Sequence, residues 1–275
     1  MTDNCDSHAK HLLNCRVESL AQVAFNTYRL TFASNWLAEQ AQPGQFVNIA
    51  VPRCGDILWR RPFSFHQIDR HSGACTVLIQ VIGRGSEALT RVQPGEHLSC
   101  LAPLGNHFVI PAEIDELLIV AGGLGIAPFF FLLQEVAAQP YKKVLFYGAA
   151  SADCFCRVDE LSSLTSQLFL TTDDGSRGEQ GLVIKPLQRF LAEPGGKRRL
   201  VLTCGPTRMM QAVQNLCKKY HLPGYVSVEN LMACGFGACM GCAVQMIDKG
   251  LSAKPFLLAC KDGPVFPIDE IVIDE

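Results

Sequence analysis

From Leu117 to Gln134 the chain runs eighteen residues without a charge. That length could cross a bilayer as one helix. The run is broken, however, at Gly122-Gly123-Leu124-Gly125 and again at Pro128. A buried parallel strand turning into a buried helix satisfies both the apolarity and the break. Such a unit needs a sheet flanked by helices, and the chain around it supplies one. Strand patterns fall at Leu117–Ala121, Val144–Tyr147, Leu168–Thr172, Leu200–Thr203 and Tyr225–Val228. Helical patterns lie between them at Ala127–Ala138, Val158–Ser166, Val183–Leu191 and Thr207–Tyr220. The expectation is an α/β parallel sheet covered on both faces, over residues 111–228.

The texture before it differs. From about His11 to Phe108 short alternating runs such as Phe46–Val51 and Cys75–Val81 are divided by turns at Pro43-Gly44, Ser72-Gly73 and Pro94-Gly95. This predicts an antiparallel β-barrel of about six strands within residues 1–110. The remaining residues, 229–275, are short of core-forming runs and are expected to depend partly on a metal centre for their order. The chain thus reads as multi-domain.

That centre is indicated by Cys234, Cys239, Cys242 and Cys260, spaced C-x4-C-x2-C-x17-C in a loop rich in glycine and alanine. The spacing is that of plant-type [2Fe–2S] proteins. Glycines let the backbone wrap closely enough to offer N–H groups to the sulfurs. A four-cysteine zinc site is the alternative, but it usually uses two separated C-x2-C pairs. The other cysteines, Cys5, Cys15, Cys54, Cys75, Cys100, Cys154, Cys156 and Cys217, lack ligand spacing and read as small hydrophobes or surface thiols. Thirteen cysteines and a polar start at Met1–Lys10 suggest a reducing, cytoplasmic location. A net charge of −2 gives no footing for nucleic acid or an anionic membrane.

Three Gly-rich turns follow strands of the α/β half. Gly122, Gly123 and Gly125 precede a helix start and suit a pyrophosphate, although tight turns use glycine too. Pro128 stands where the full dinucleotide fingerprint has a third glycine. Asp173 and Asp174 could bind a ribose and repel a 2′-phosphate, favouring NAD over NADP, or could simply serve a turn. Cys204-Gly205-Pro206 closes a third strand. In the barrel half, Arg61-Pro62-Phe63-Ser64 sets a guanidinium and a hydroxyl in an apolar run. That suits a flavin phosphate, or an ordinary strand with a solvated arginine. Gly83-Arg84-Gly85-Ser86 before a helical stretch at Glu87–Val92 is a second candidate anion site.

Taken together, these residues resemble the ferredoxin–NADP reductase superfamily. Within it they look like the electron-transfer subunits of class 1B dihydroorotate dehydrogenase, over nearly the whole chain. The resemblance implies a FAD-binding barrel, a NAD-binding α/β domain and a [2Fe–2S] domain. It places FAD on Arg61, Pro62, Phe63 and Ser64, on Leu78, Ile79 and Gln80, and on Gly85 and Ser86. It places NAD near Gly122, Gly123, Gly125, Asp173, Cys204, Gly205 and Pro206, and the cluster on Cys234, Cys239, Cys242 and Cys260. It also implies a partner: a catalytic subunit carrying FMN that oxidises dihydroorotate in pyrimidine (UMP) biosynthesis, two of each chain in a heterotetramer. Electrons would pass singly through the cluster to FAD, which delivers a hydride to NAD+. No catalytic acid, base or nucleophile is assigned to this chain. Phe63 and His107 depart from the superfamily pattern, where tyrosine and glycine are frequent. Flavin/iron–sulfur subunits of NAD(P)H-dependent ferredoxin or sulfide reductases are the rival resemblance, and they often carry an aspartate among the cluster ligands.

Overall fold

The computed structural model describes residues 10–52, 55, 57–193, 196–247 and 255–274; Cys5 and Cys54 lie outside them. The first half is a closed antiparallel barrel of β1 (His11–Ala24), β2 (Thr27–Ala33), β3 (Phe46–Ile49), β4 (Arg61–Asp69), β5 (Ala74–Gln80) and β6 (His97–Leu104), ordered β1-β2-β5-β4-β3-β6. Two short helices, α1 (Asn35–Gln40) and α2 (Arg84–Leu89), sit in its connections. The period-2 pattern sets which side chains fill the barrel. Val47 and Ile49, and Cys75, Val77 and Ile79, enter its core, while Phe46 and Leu78 belong to cores outside it.

The α/β half is a seven-stranded sheet: β7 (Glu116–Gly122), β8 (Lys142–Ala149), β9 (Gln167–Thr172), β10 (Glu179–Gln180), β11 (Arg199–Cys204), β12 (Gly224–Ser227) and the late β15 (Val265–Pro267), in the order β10-β9-β8-β7-β11-β12-β15. Helices α3 (Ala127–Glu135), α4 (Val158–Leu164), α5 (Ile184–Ala192) and α6 (Thr207–Tyr220) cover it. Every residue of β7 is buried. Leu117, Ile119 and Ala121 pack with α3 and α4, whereas Leu118 and Val120 pack with α5 and α6. The uncharged run is therefore a strand buried on both faces followed by a buried helix.

Two features depart from the sequence expectation. The helix α1 falls in the barrel half, where the only helical stretch expected was Glu87–Val92; Ser34 caps it by accepting from Leu37 N–H at 3.3 Å. The C-terminal segment also has more core than its pattern suggests. It contributes β13 (Ala243–Gln245) and β14 (Phe256–Leu258) as an antiparallel pair, and β15 joins the nucleotide sheet antiparallel to β12. Its Cys242, Val244, Leu258, Cys260, Phe266 and Ile271 share one core with Phe46 and Leu104 of the barrel and Val120 of the sheet. Burial there was hidden because it is spread singly along irregular chain. Among the uncommitted thiols, Cys15, Cys75, Cys100, Cys156 and Cys217 are buried and Cys154 is partly so.

The barrel meets the sheet domain through β4 and α3. His66 is fully enclosed there, its Nδ1 donating to the Ala127 carbonyl at 3.0 Å while Nε2 has no partner among the described residues. Arg157 donates to Gln67 at 2.7 Å and lies 3.6 Å from the Phe130 ring centre. Burial pushes the His66 pKa down to about 3, with the Arg157 and Arg29 charges adding to the effect. The unfolded imidazole takes a proton below about pH 6.5 and the folded one does not, so stability is full above that pH and falls between 6.5 and 3. Relative to a His66→Gln variant, the parent should lose about 1.4 kcal/mol per pH unit over that window. Denaturant midpoints at pH 7.5, 6 and 5 check this, and parallel curves for the two proteins would contradict it.

Candidate functional site

The cavity that organises the molecule has a volume of about 1070 Å³ and opens where all three parts of the chain meet. Its barrel wall is Arg61-Pro62-Phe63-Ser64 on β4 with Leu78 and Gln80 on β5. Gly85 and Ser86 border it, Leu124, Ala127, Pro128 and Cys204 come from the sheet domain, and Ala233 and Gly241 come from the cysteine segment. Ile79 does not line it: strand alternation turns that side chain into the barrel core. Arg61 crosses directly over Gly85, where a Cβ would lie 2.8 Å from Nε. The guanidinium is thus laid against the first turn of α2, which begins at Arg84, before the expected helical stretch. The Ser86 hydroxyl is already committed, accepting from Ile82 and Gly83 N–H and donating to the Gly83 carbonyl. It shapes the turn more than it offers a free donor.

The second feature lies at the carboxyl edge of the parallel sheet. The strand order reverses direction between β7 and β11, which makes the crevice beyond their ends the place where an open sheet binds its ligand. Ala121 pairs with Cys204 there. Gly122 ends β7, Gly123 and Gly125 lie in the 3-10 turn into α3, and Gly125 is packed so closely that a Cβ would stand 2.2 Å from the Cys204 carbonyl oxygen. Gly122 and Gly205 both abut Met209, and Gly122 also meets Pro206. Gly122, Gly125, Cys204, Gly205 and Pro206 therefore form one continuous floor. Asp173 lies further along the same edge, exposed after β9, and does not line the cavity. Burial raises the Cys204 thiol well above its ordinary pKa, so it stays protonated at neutral pH.

The cysteine segment arranges its thiols as two pairs. Cys234 Sγ accepts from Cys239 N–H at 3.4 Å, and Cys242 Sγ accepts from Cys260 N–H at 3.4 Å. Burial opposes ionisation of Cys234, but the N–H groups of Phe236 and Cys239 outweigh it and bring the pKa down to about 6. Burial and the neighbouring Cys242 push Cys260 up to about 12. Among the described residues no three metal-ligating side chains converge as a single ion demands. Four thiols with backbone donors aimed at two of the sulfurs fit the four-thiolate ligand set of a [2Fe–2S] centre. All eleven described cysteines are free thiols. Cys239 is exposed between the partly exposed side chains of Phe236 and Met240.

Sequence reasoning missed Glu229, which also lines the cavity, whereas Arg84, named within the second candidate anion site, lines it as well. Glu229 follows β12 at the same edge as the glycine turns, and that position was the available signal. Desolvation raises its carboxyl pKa, although part of the side chain is exposed in the cavity wall.

Comparison with known proteins agrees with this geometry. Residues 14–109 match the model of an oxidoreductase FAD-binding domain, 119–215 that of an oxidoreductase NAD-binding domain, and 229–272 that of the iron-sulfur cluster binding domain of dihydroorotate dehydrogenase B. The electron transfer subunit of dihydroorotate dehydrogenase B (NAD(+)) from Desulforamulus reducens is 34% identical over 95% of this chain and 98% of its own. That of Enterococcus faecalis is 36% identical over 92% of this chain and 95% of its own. Among solved structures, an NADH-dependent reduced ferredoxin-NADP oxidoreductase described for flavin-based electron bifurcation superposes with a TM-score of 0.83, at 25% identity over 95% of this chain and 90% of that one.

The contact between Gly125 and the Cys204 carbonyl gives a direct test of the floor. Gly125→Ala should cost about 1–3 kcal/mol, because the neighbour it strikes is backbone and cannot rotate away. A chemical-denaturation midpoint equal to that of the parent would contradict the packing described.

Proposed function

The chain belongs to the family of the electron transfer subunits of dihydroorotate dehydrogenase B (NAD(+)), and from that membership we propose that it carries electrons from a dihydroorotate-oxidising, FMN-containing catalytic subunit to NAD+. The observation that carries the reading is one cavity walled by the barrel, by Leu124, Ala127, Pro128 and Cys204 of the sheet domain, and by the cysteine segment together. In this reading residues 1–110 hold FAD, 111–228 hold NAD and 229–275 hold the cluster. When bound, these groups supply one-electron transfer at the iron centre and two-electron exchange between flavin and nicotinamide.

The chain's own residues position and insulate. Arg61 offers a fork of N–H groups to a pyrophosphate, held in place by its bonds to the Trp59 and Arg60 carbonyls at 2.9 and 3.3 Å. Phe63 and Leu78 give the apolar wall on which a flat ring can lie, and Gln80 a polar edge. The turn of Gly122, Gly123 and Gly125, with Gly205 and Pro206, lets a nicotinamide nucleotide approach the backbone at the switch point. In this reading Asp173, exposed at the same sheet edge, meets a ribose and disfavours a 2′-phosphate. Cys204 presents a protonated thiol and acts as a packing surface. The exposed Cys239 side, flanked by Phe236 and Met240, is where the catalytic subunit docks, in an assembly of two of each chain. The alternative, a stand-alone reductase of ferredoxin-like acceptors, draws on the rival resemblance and on the 0.83 superposition. The four-cysteine ligand set and the identities to named subunits favour the first reading.

Co-purification separates the two. Recovery of an FMN protein that reduces NAD+ with dihydroorotate only when this chain is present supports the proposal; brisk ferredoxin reduction by the isolated chain refutes it. Cys239→Ser should abolish NAD+ coupling while FAD stays bound, and unchanged coupling would remove the cluster from the route. Arg61→Ala should weaken FAD binding by about ten- to a hundredfold, the loss of charge-assisted hydrogen bonds, measured by flavin release on dilution.

A further inference from the structure

Asn48 is the polar residue of β3 and is completely buried. Its neighbours Val47 and Ile49 fill the barrel, so alternation places Asn48 on the barrel's outer surface, paired across the sheet with Pro62 on β4 and Leu101 on β6. Pro62 is part of the cavity wall. On its other side Asn48 meets the cysteine segment: Nδ2 donates to the Cys234 carbonyl at 3.4 Å. Gly235, with φ of 79°, lies so close that a Cβ would stand 2.3 Å from Nδ2. The other amide atom, Oδ1, is buried with no partner among the described residues. Burying a half-satisfied amide costs stability, and an apolar residue would fill the same place in the sheet without that penalty.

We propose that Asn48 is a positioning residue for electron transfer, one that fixes the Cys234–Gly235 turn against the flavin side of the barrel and sets the electrostatics of the ligand it holds. The proposal rests on the electron-transfer reading above. One cross-strand step joins the Pro62 wall to Asn48, and one hydrogen bond joins Asn48 to the ligand turn. The spacing between the two cofactor sites is therefore transmitted through a rigid sheet. The amide N–H also turns its positive end toward the ligand turn, which favours the more negative, reduced state of a metal centre held there.

The test uses the full chain loaded anaerobically, with Asn48→Leu, which keeps the volume but not the donor, and Asn48→Ser, which is too short to reach. Iron, sulfide and flavin content, the iron centre's midpoint potential and its electron paramagnetic resonance g values are measured for each. The expected result is iron and flavin content near that of the parent, a lower midpoint potential and altered g values in both variants, and an unmoved flavin potential. If Asn48→Leu does not fold, Asn48→Ser decides. A purely structural role would lower the melting temperature and leave potential and g values unchanged, which overturns the proposal. A parent chain without iron instead refutes the electron-transfer reading itself, so the two failures are told apart.

Discussion

The C-terminal segment is pinned on two sides, and the rest of the arrangement depends on that. Asn106, in the turn after the last barrel strand, donates to the Asp262 and Val265 carbonyls at 2.9 and 2.7 Å and accepts from Val265 N–H at 2.9 Å. The residues immediately following then pair with β12 as the edge strand of the nucleotide sheet. The cysteine-bearing chain is thus a wedge, hydrogen-bonded to the barrel on one flank and to the sheet on the other. Phe46, Leu104, Cys242, Cys260 and Phe266 fill the space between. Neither the barrel nor the sheet alone would present Ala233 and Gly241 to the cavity.

This wedge explains why polar groups are concentrated at the seams. Asn48, His66 and Asn106 are each on or beside a barrel strand, and each makes its hydrogen bond across a boundary between parts of the molecule. Hydrophobic burial brings surfaces together without fixing their register; directional bonds in a low-dielectric seam do fix it. A protein that must hold two redox groups at a set separation needs that register more than it needs extra apolar area.

Much of this was legible in the sequence, for identifiable reasons. The barrel strands and the βα units carry strong periodicities of 2 and 3.6, and the glycine turns fall where an apolar strand ends, so both halves and the Arg61, Ser64, Gly122 and Cys204 neighbourhoods could be read directly. Helix α6 matches its sequence pattern to the residue, Thr207–Tyr220. The cysteine spacing is long-range information written into a short loop. What could not be read is the side on which a residue falls where strand phase decides. Ile79, expected beside the flavin, faces inward because its neighbours Leu78 and Gln80 take the outer face. Nor could the irregular segment reveal its edge strand, because three residues, Val265–Pro267, carry no periodicity to detect. Asn48 and Glu229 look like ordinary polar residues until the chain some 180 residues away, or the end of β12, is brought beside them.

The thiols divide in the same physical terms. Buried thiols outside the loop, such as Cys75 and Cys217, are pushed up to about 12 by desolvation and stay protonated. Cys234, surrounded by backbone N–H groups, is drawn down into the range where a thiolate ligand is available. The most direct measurement is an anaerobic titration of the purified chain with NADH, followed by visible absorbance and electron paramagnetic resonance together. The predicted result is flavin bleaching accompanied by the signal of a reduced [2Fe–2S] centre. Flavin that is reduced with no paramagnetic iron signal, in protein from which iron and acid-labile sulfide are both missing, would contradict it.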